Sequence, residues 1–167
     1  FASQACGVKA DGSAWCWGHN AVGQLGDGTE TDRYRPVRVA GLRGVTAIGG
    51  SAEHTCARRS DGTVWCWGWN RGGMLGDGTT TDRLHPVRVV GLTRISAIAV
   101  GSRHNCALRS DGSVWCWGFN LGGALGEGGA VGGGGALGAH VLIVAEGSGA
   151  GSGEFAPRPG RPVCLPF

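Results

Sequence analysis

A chain of 167 residues with 15 Lys and Arg against 12 Asp and Glu carries a net charge of +3, and its cations are scattered rather than gathered into the stripe that nucleic-acid binding requires. The longest apolar run, "HVLIVA" at 140–145, falls far short of the roughly 18 to 20 residues that span a bilayer. Neither nucleic-acid binding nor membrane insertion is therefore expected. Thirty-five glycines are about three times ordinary usage. They are periodic up to Gly128 and clustered without period from Gly129 to Gly153, so two explanations are needed.

The chain opens "FASQACG", with neither an initiator Met nor a charged-then-apolar signal segment, which predicts a processed end or a cut through a longer gene. The first element is a hairpin: Cys6 and Cys16 bracket Asp11-Gly12, and the same C-x9-C spacing returns at 56–66 and 106–116, a period of 50. Because Cys6 and Cys16 are equidistant from Asp11, they face each other only if the loop is odd, Ala10-Asp11-Gly12, with Gly12 left-handed. Counting outward from the closing pair Lys9–Ser13 then puts the cysteines at a non-hydrogen-bonded pair, where Cα atoms approach to about 4.5 Å, within a disulfide's reach. The expected bridges are Cys6–Cys16, Cys56–Cys66 and Cys106–Cys116, each contributing roughly 2 to 3 kcal/mol in the chain-entropy model and pointing to an oxidising compartment. The alternative is that small buried thiols simply pack there. Cys164 lies outside the period.

After each hairpin comes a glycine-bearing loop, "GQLGDGTETD" at 23–32 and "GMLGDGTTTD" at 73–82. Then follow a short strand "PVRV" at 36–39 and 86–89, its proline suited to a strand start or edge, and the runs "VTAIGG" at 45–50 and "ISAIAV" at 95–100. These last are apolar on both faces, as an inner strand walled in on two sides would be. Each unit thus reads as four strands, and a period near 50 built this way predicts propeller blades that bury their faces only against one another. Within "WCWG", the tryptophans share the strand face opposite the cysteine. Trp17, Trp67 and Trp117 are expected to fill the gaps between blades.

The third unit breaks after "GGALGEG" at 122–128. Residues 129–167 are glycine- and proline-rich with little to bury and read as a low-complexity, disordered tail, apart from a possible short strand at 141–145. A frameshift or a fused linker past residue 128 is the expectation, and an array left open in this way would be marginal or dependent on missing blades.

The composite "GxxHxCALRSDGSVWCWGxNxxGxLGDGTxTDRxxPVRVxGL", assembled from 101–120 and 73–92, resembles the regulator-of-chromosome-condensation repeat, and its "C…DGxVWCWG" form is similar to that of bacterial members. The resemblance covers residues 2–128, about two and a half repeats. It implies a seven-bladed propeller in the complete protein, of which this all-β chain would be a fragment of about two and a half four-stranded blades at 1–128. The founding member exchanges nucleotide on a small nuclear GTPase and binds chromatin through a wedge and basic tails that are not in this sequence, so no exchange residue is carried over. Other members resemble protein-binding platforms, including secreted inhibitors that clamp a target with one propeller face.

Candidate chemistry gives way to structural roles. His54 and His104 stand two residues before a cysteine, yet no C-x2-C or H-x3-H spacing accompanies them and Gln4 takes their place in the first unit, so zinc is not expected. Asp11, Asp61 and Asp111 precede Gly12, Gly62 and Gly112 and read as turn residues. The "GDGTxTD" loops lack the calcium ligand ladder. No nucleophile elbow, phosphate loop or triad is present, and no cofactor is implied.

Positions that differ among the units map what the scaffold leaves free: Ser3/Glu53/Arg103, His19/Trp69/Phe119, Ala21/Arg71/Leu121, Gln24/Met74/Ala124, and Tyr34-Arg35 against Leu84-His85. Loops on a rigid array carry binding residues, and Trp69, Arg71, Arg103, Phe119 and Leu121 are the expected partner contacts. The expected function is a non-catalytic propeller module that binds a protein partner at the cell surface or outside the cell. The alternatives are a cytoplasmic exchange-factor-like regulator and an enzyme whose active site lies in absent blades.

Overall fold

The computed structural model describes residues 3–120, residue 125 and the backbone of 140–143. Leu121, Ala124, Cys164 and the rest of the 129–167 segment lie outside the described residues. The described chain is all-β. Strands β1 (Gln4–Val8), β2 (Ala14–Gly18) and β3 (Arg33–Arg38) form one antiparallel sheet. A second is formed by β4 (Val45–Gly50), β5 (His54–Arg59), β6 (Val64–Gly68) and β7 (Arg83–Arg88), and a third by β8 (Ile95–Val100), β9 (His104–Arg109), β10 (Ser113–Gly118) and β11 (His140–Ile143). Each sheet is a meander, and the first lacks the strand that β4 and β8 supply to the others.

The hairpins have three-residue loops. Lys9 N–H donates to the Ser13 carbonyl at 2.9 Å and Gly12 N–H to the Lys9 carbonyl at 2.9 Å, with Gly12 at φ 75°. That register sets Cys6 opposite Cys16, Cys56 opposite Cys66 and Cys106 opposite Cys116. All three pairs are disulfide-bonded, with Cα atoms 4.1 Å apart, as a non-hydrogen-bonded pair permits. Asp11 Oδ1 accepts from the backbone N–H and hydroxyl of Ser13, at 2.9 and 2.6 Å, and the Ser13 hydroxyl accepts the Trp15 indole N–H at 2.9 Å. The same chain of bonds runs Asp61–Thr63–Trp65 and Asp111–Ser113–Trp115. The bonds from residue 13, 63 or 113 hold each turn carboxyl below its ordinary value.

The core lies between sheets, in two clusters. One packs the cysteine face of the first sheet (Ala14, Cys16) with Leu25, Val39 and Leu42 against Ala57 and Trp67 of the second. The other packs Cys56, Val64 and Cys66 with Leu75 and Val89 against Ala107 and Trp117 of the third. Each buried indole removes roughly 200 Å² from water, on the order of 5 kcal/mol.

Three expectations are refined. β4 and β8 end their sheets and are only partly walled in on their faces: β4 lies between β1 and β8, yet Thr46, Ser96 and Ala97 are exposed. The "PVRV" strands begin three residues earlier, at Arg33 and Arg83, and of the two places expected for their prolines the edge holds: Pro36 and Pro86 sit within strands that end their sheets among the described residues. The short strand expected at 141–145 lies at His140–Ile143 and pairs with β10, setting Val141 opposite Trp115 where Arg38 and Arg88 stand opposite Trp15 and Trp65.

Candidate functional site

The strands reverse direction between two ends of the array. One carries the hairpin turns and the other the loops that follow "WCWG". The second end is built on a buried asparagine in each of the first two units. Asn20 is fully buried, and its amide donates to the Thr29 and Thr31 carbonyls at 2.9 and 3.0 Å while its Oδ1 accepts from Leu25 N–H at 2.9 Å. Asp32 accepts the Asn20 backbone N–H at 2.7 Å. Asp27 accepts from Thr29 and from Arg33 Nε, the latter at 2.8 Å. Burial raises the Asp27 carboxyl, but the bonds from Thr29 and Arg33 outweigh it and hold it below its ordinary value. Asn70, Asp77, Asp82 and Arg83 repeat every part of this. The acids of "GDGTxTD" are therefore occupied in bracing their own loop. Sequence reasoning missed Asn20 and Asn70, although an asparagine recurring after "CWG" was the available signal.

Between units the buried polar groups match. The Gln24 carbonyl accepts the Trp67 indole N–H at 2.9 Å and the Thr55 hydroxyl at 2.8 Å. One unit on, the Met74 carbonyl accepts the Trp117 indole N–H at 2.9 Å and the Asn105 amide at 2.8 Å. Gln24 and Met74 are fully buried, so their variation is a packing matter and they leave the set of free positions. Leu84 and His85 leave it too: a Cβ on Gly23 would meet Leu84, and one on Gly28 would meet the His85 ring. Tyr34, at the place of Leu84 in the first unit, is 95% exposed.

His54 closes this boundary. Its Nε2 lies 2.8 Å from Asn105 Oδ1 and its Nδ1 2.8 Å from the Ser51 hydroxyl. Since the Asn105 amide nitrogen donates to Met74, its oxygen must accept, which fixes the Nε2–H tautomer. Burial lowers the His54 pKa, with the nearby His104 adding to it and the Asn105 bond opposing. Among the described residues no group of three His, Cys, Asp or Glu converges on a common point.

The remaining variable positions gather on the loop end. Trp69 is half-buried, with its backbone N–H on the Glu53 carbonyl at 2.9 Å. Phe119 is 37% exposed beneath the Arg103 guanidinium, 5.8 Å from the ring centroid. It lies against Gly72, in the loop that also carries Trp69 and the exposed Arg71. The structure thus brings Phe119 and Arg103 of the third unit onto the Trp69–Gly72 loop of the second.

Comparison with known proteins fits this architecture. The family described as "Regulator of chromosome condensation (RCC1) repeat" matches residues 11–58 and 61–108, more than half of the chain, and a second model of the repeat matches 45–73 and 95–123. The matched unit at 11–58 runs from β2 of one sheet through β5 of the next, so the sequence repeat straddles two sheets. No curated protein matches the chain. Among solved structures, human WBSCR16 is 27% identical with a TM-score of 0.66, over 75% of this chain and 34% of its own. Prp20p of Saccharomyces cerevisiae, in a structure concerned with its binding to Gsp1p and histones, is 21% identical with a TM-score of 0.68, over 76% of this chain and 34% of its own. Yeast RCC1 (Prp20) bound to Kap60 is 22% identical with a TM-score of 0.64, over 74% and 29%. The chain spans at most 34% of the length of these proteins. With its sequence repeats and its sheets both matched, this chain belongs to the RCC1 repeat family.

Proposed function

We propose that the chain is a non-catalytic, exported propeller module whose loop end binds a protein partner through Trp69, Arg71, Arg103 and Phe119. One observation carries this reading. Side chains that differ between units are exposed or half-exposed together on a loop end whose backbone is fixed by the Asn20 and Asn70 braces. Aromatic and arginine anchors held on rigid loops are the usual energetic centre of a protein interface. Three disulfides support an oxidising compartment, and the paired-cysteine repeat supports placement with the bacterial-type members. Further blades, supplied by sequence beyond this chain, would complete the ring, and residues 1–128 act as the repeat domain with 129–167 as an appended segment.

A photo-crosslinking residue placed at Arg71 tests the reading in the exporting cell. It should capture one protein, and the capture should vanish in the Trp69→Ala/Phe119→Ala variant. Capture that survives that variant would remove these residues from the interface. Mass spectrometry after alkylation without reductant should find six unlabelled repeat cysteines, whereas six alkylated ones would contradict export.

A further inference from the structure

Charge is divided unevenly between the two ends. On the loop end, Arg33, Arg35, Arg71, Arg83 and Arg103 face six carboxylates, from Asp27, Glu30, Asp32, Glu53, Asp77 and Asp82. On the turn end the first unit contributes Lys9, Arg38 and Arg43, the second Arg58, Arg59, Arg88 and Arg94, and the third Arg109. Only Asp11, Asp61 and Asp111 oppose them. A near-neutral chain therefore holds a surplus of five positive charges on one end of its described residues.

Two details show a surface arranged for something other than stability. Arg38 and Arg43 bound a cleft of about 210 Å³ floored by Val39, Ala40, Gly41 and Leu42. Both are exposed, and neither guanidinium has a hydrogen bond or close ion pair among the described residues, although the Arg38 charge helps lower the Asp11 carboxyl. Arg94 is the one non-glycine residue with positive φ (57°) among those described, at the place where the first unit has Gly44 (φ 65°). A left-handed arginine costs energy that glycine would not, and its side chain is 68% exposed with a 3.6 Å contact to Asp111. That strain adds one more cation to this end.

We propose that the turn end is a docking surface for an acidic, extended polypeptide segment whose carboxylates enter the Arg38–Arg43 cleft and run on toward Arg88 and Arg94. Polypeptide fits better than nucleic acid for two reasons. The half-buried indoles that could stack on bases are already covered by the chain's own cations, Lys9 at 3.9 Å over Trp15 and Arg109 at 4.5 Å over Trp115. The turn aspartates also interrupt the cations once per unit, which repels a continuous phosphate backbone but leaves room for spaced carboxylates. This surface is separate from the loop end and does not depend on it.

The test is fluorescence anisotropy of a labelled alternating Glu-Ser peptide on the full chain. Binding should weaken with added salt and fall roughly tenfold or more in Arg38→Glu/Arg43→Glu, while Arg35→Glu on the other end leaves it unchanged. Melting temperature confirms that the exposed double reversal is folded, and Arg38→Gln/Arg43→Gln serves if it is not. Arg94→Gly should raise the melting temperature while weakening the peptide. Binding untouched by the Arg38/Arg43 variants would overturn the proposal, and so would a duplex DNA of equal charge binding as well as the peptide.

Discussion

Trp17 and Trp67 stand at the same place in identical "WCWG" strands, yet Trp67 is fully buried and Trp17 half-exposed. The difference is the neighbour. Trp67 lies on the cysteine face of the preceding sheet and donates to Gln24, whereas no sheet precedes that of Trp17 among the described residues. Burial in this array is a property of the boundary between units rather than of the strand, as expected for structures whose repeats contact only their neighbours.

The sharpest way to break that comparison is to truncate both indoles. Trp67→Ala should cost about 3 to 5 kcal/mol in denaturant unfolding, and Trp17→Ala about 1 kcal/mol. Equal losses would mean that the strand alone sets their worth. Gly26→Ala probes the same boundary from the other side. It has φ 68°, and a Cβ there would lie 2.6 Å from Trp67 Nε1, whereas Gly41 has the same φ with nothing near. Gly26→Ala should cost about 3 kcal/mol and Gly41→Ala about 1, the difference being the clash with the indole. Replacing Cys56 and Cys66 together by serine should cost about 2 to 3 kcal/mol.

A smaller effect comes from pH. Because His54 has a lowered pKa, the unfolded chain takes up a proton near pH 6.5 that the folded chain still refuses. Its contribution is therefore complete above pH 6.5 and is lost as pH falls below it, before the lowered carboxyls of Asp27 and Asp77 come into play. His54→Gln, which installs the residue found at position 4, should flatten the stability profile just below pH 6.5. An unchanged slope would place the titration elsewhere.

The period of 50 made the fold legible, because six cysteines and three Asp-Gly turns keep phase, and the symmetry of Cys6 and Cys16 about Asp11 gave the hairpin register on the condition that the two cysteines face each other, a two-residue loop setting Cys6 opposite Trp17 instead. What stayed hidden depended on the third dimension. Variation at Gln24 and Met74 read as freedom, but both are fully buried and both lend their backbone carbonyls to the boundary, and a backbone carbonyl leaves no mark on the residue type. The Gln24 amide adds a bond to the Ala52 carbonyl at 3.2 Å. The Asn20 brace closes on Thr29 and Thr31 through a loop fold that no periodicity encodes. The left-handed Arg94 hides behind an ordinary residue type where the first unit shows glycine. Trp69 and Phe119, in contrast, were visible as differences against a constant background, and they do lie on the loop end.

The division between tryptophans that hold the array together and aromatics reserved for a partner is tested most directly by melting Trp69→Ala/Phe119→Ala beside Trp67→Ala. The account predicts a modest loss for the double variant, about 1 to 2 kcal/mol of stability for two partly buried aromatics, and a clearly larger one, about 3 to 5 kcal/mol, for Trp67→Ala. A double variant that melts as early as Trp67→Ala would make Trp69 and Phe119 part of the core and contradict the account.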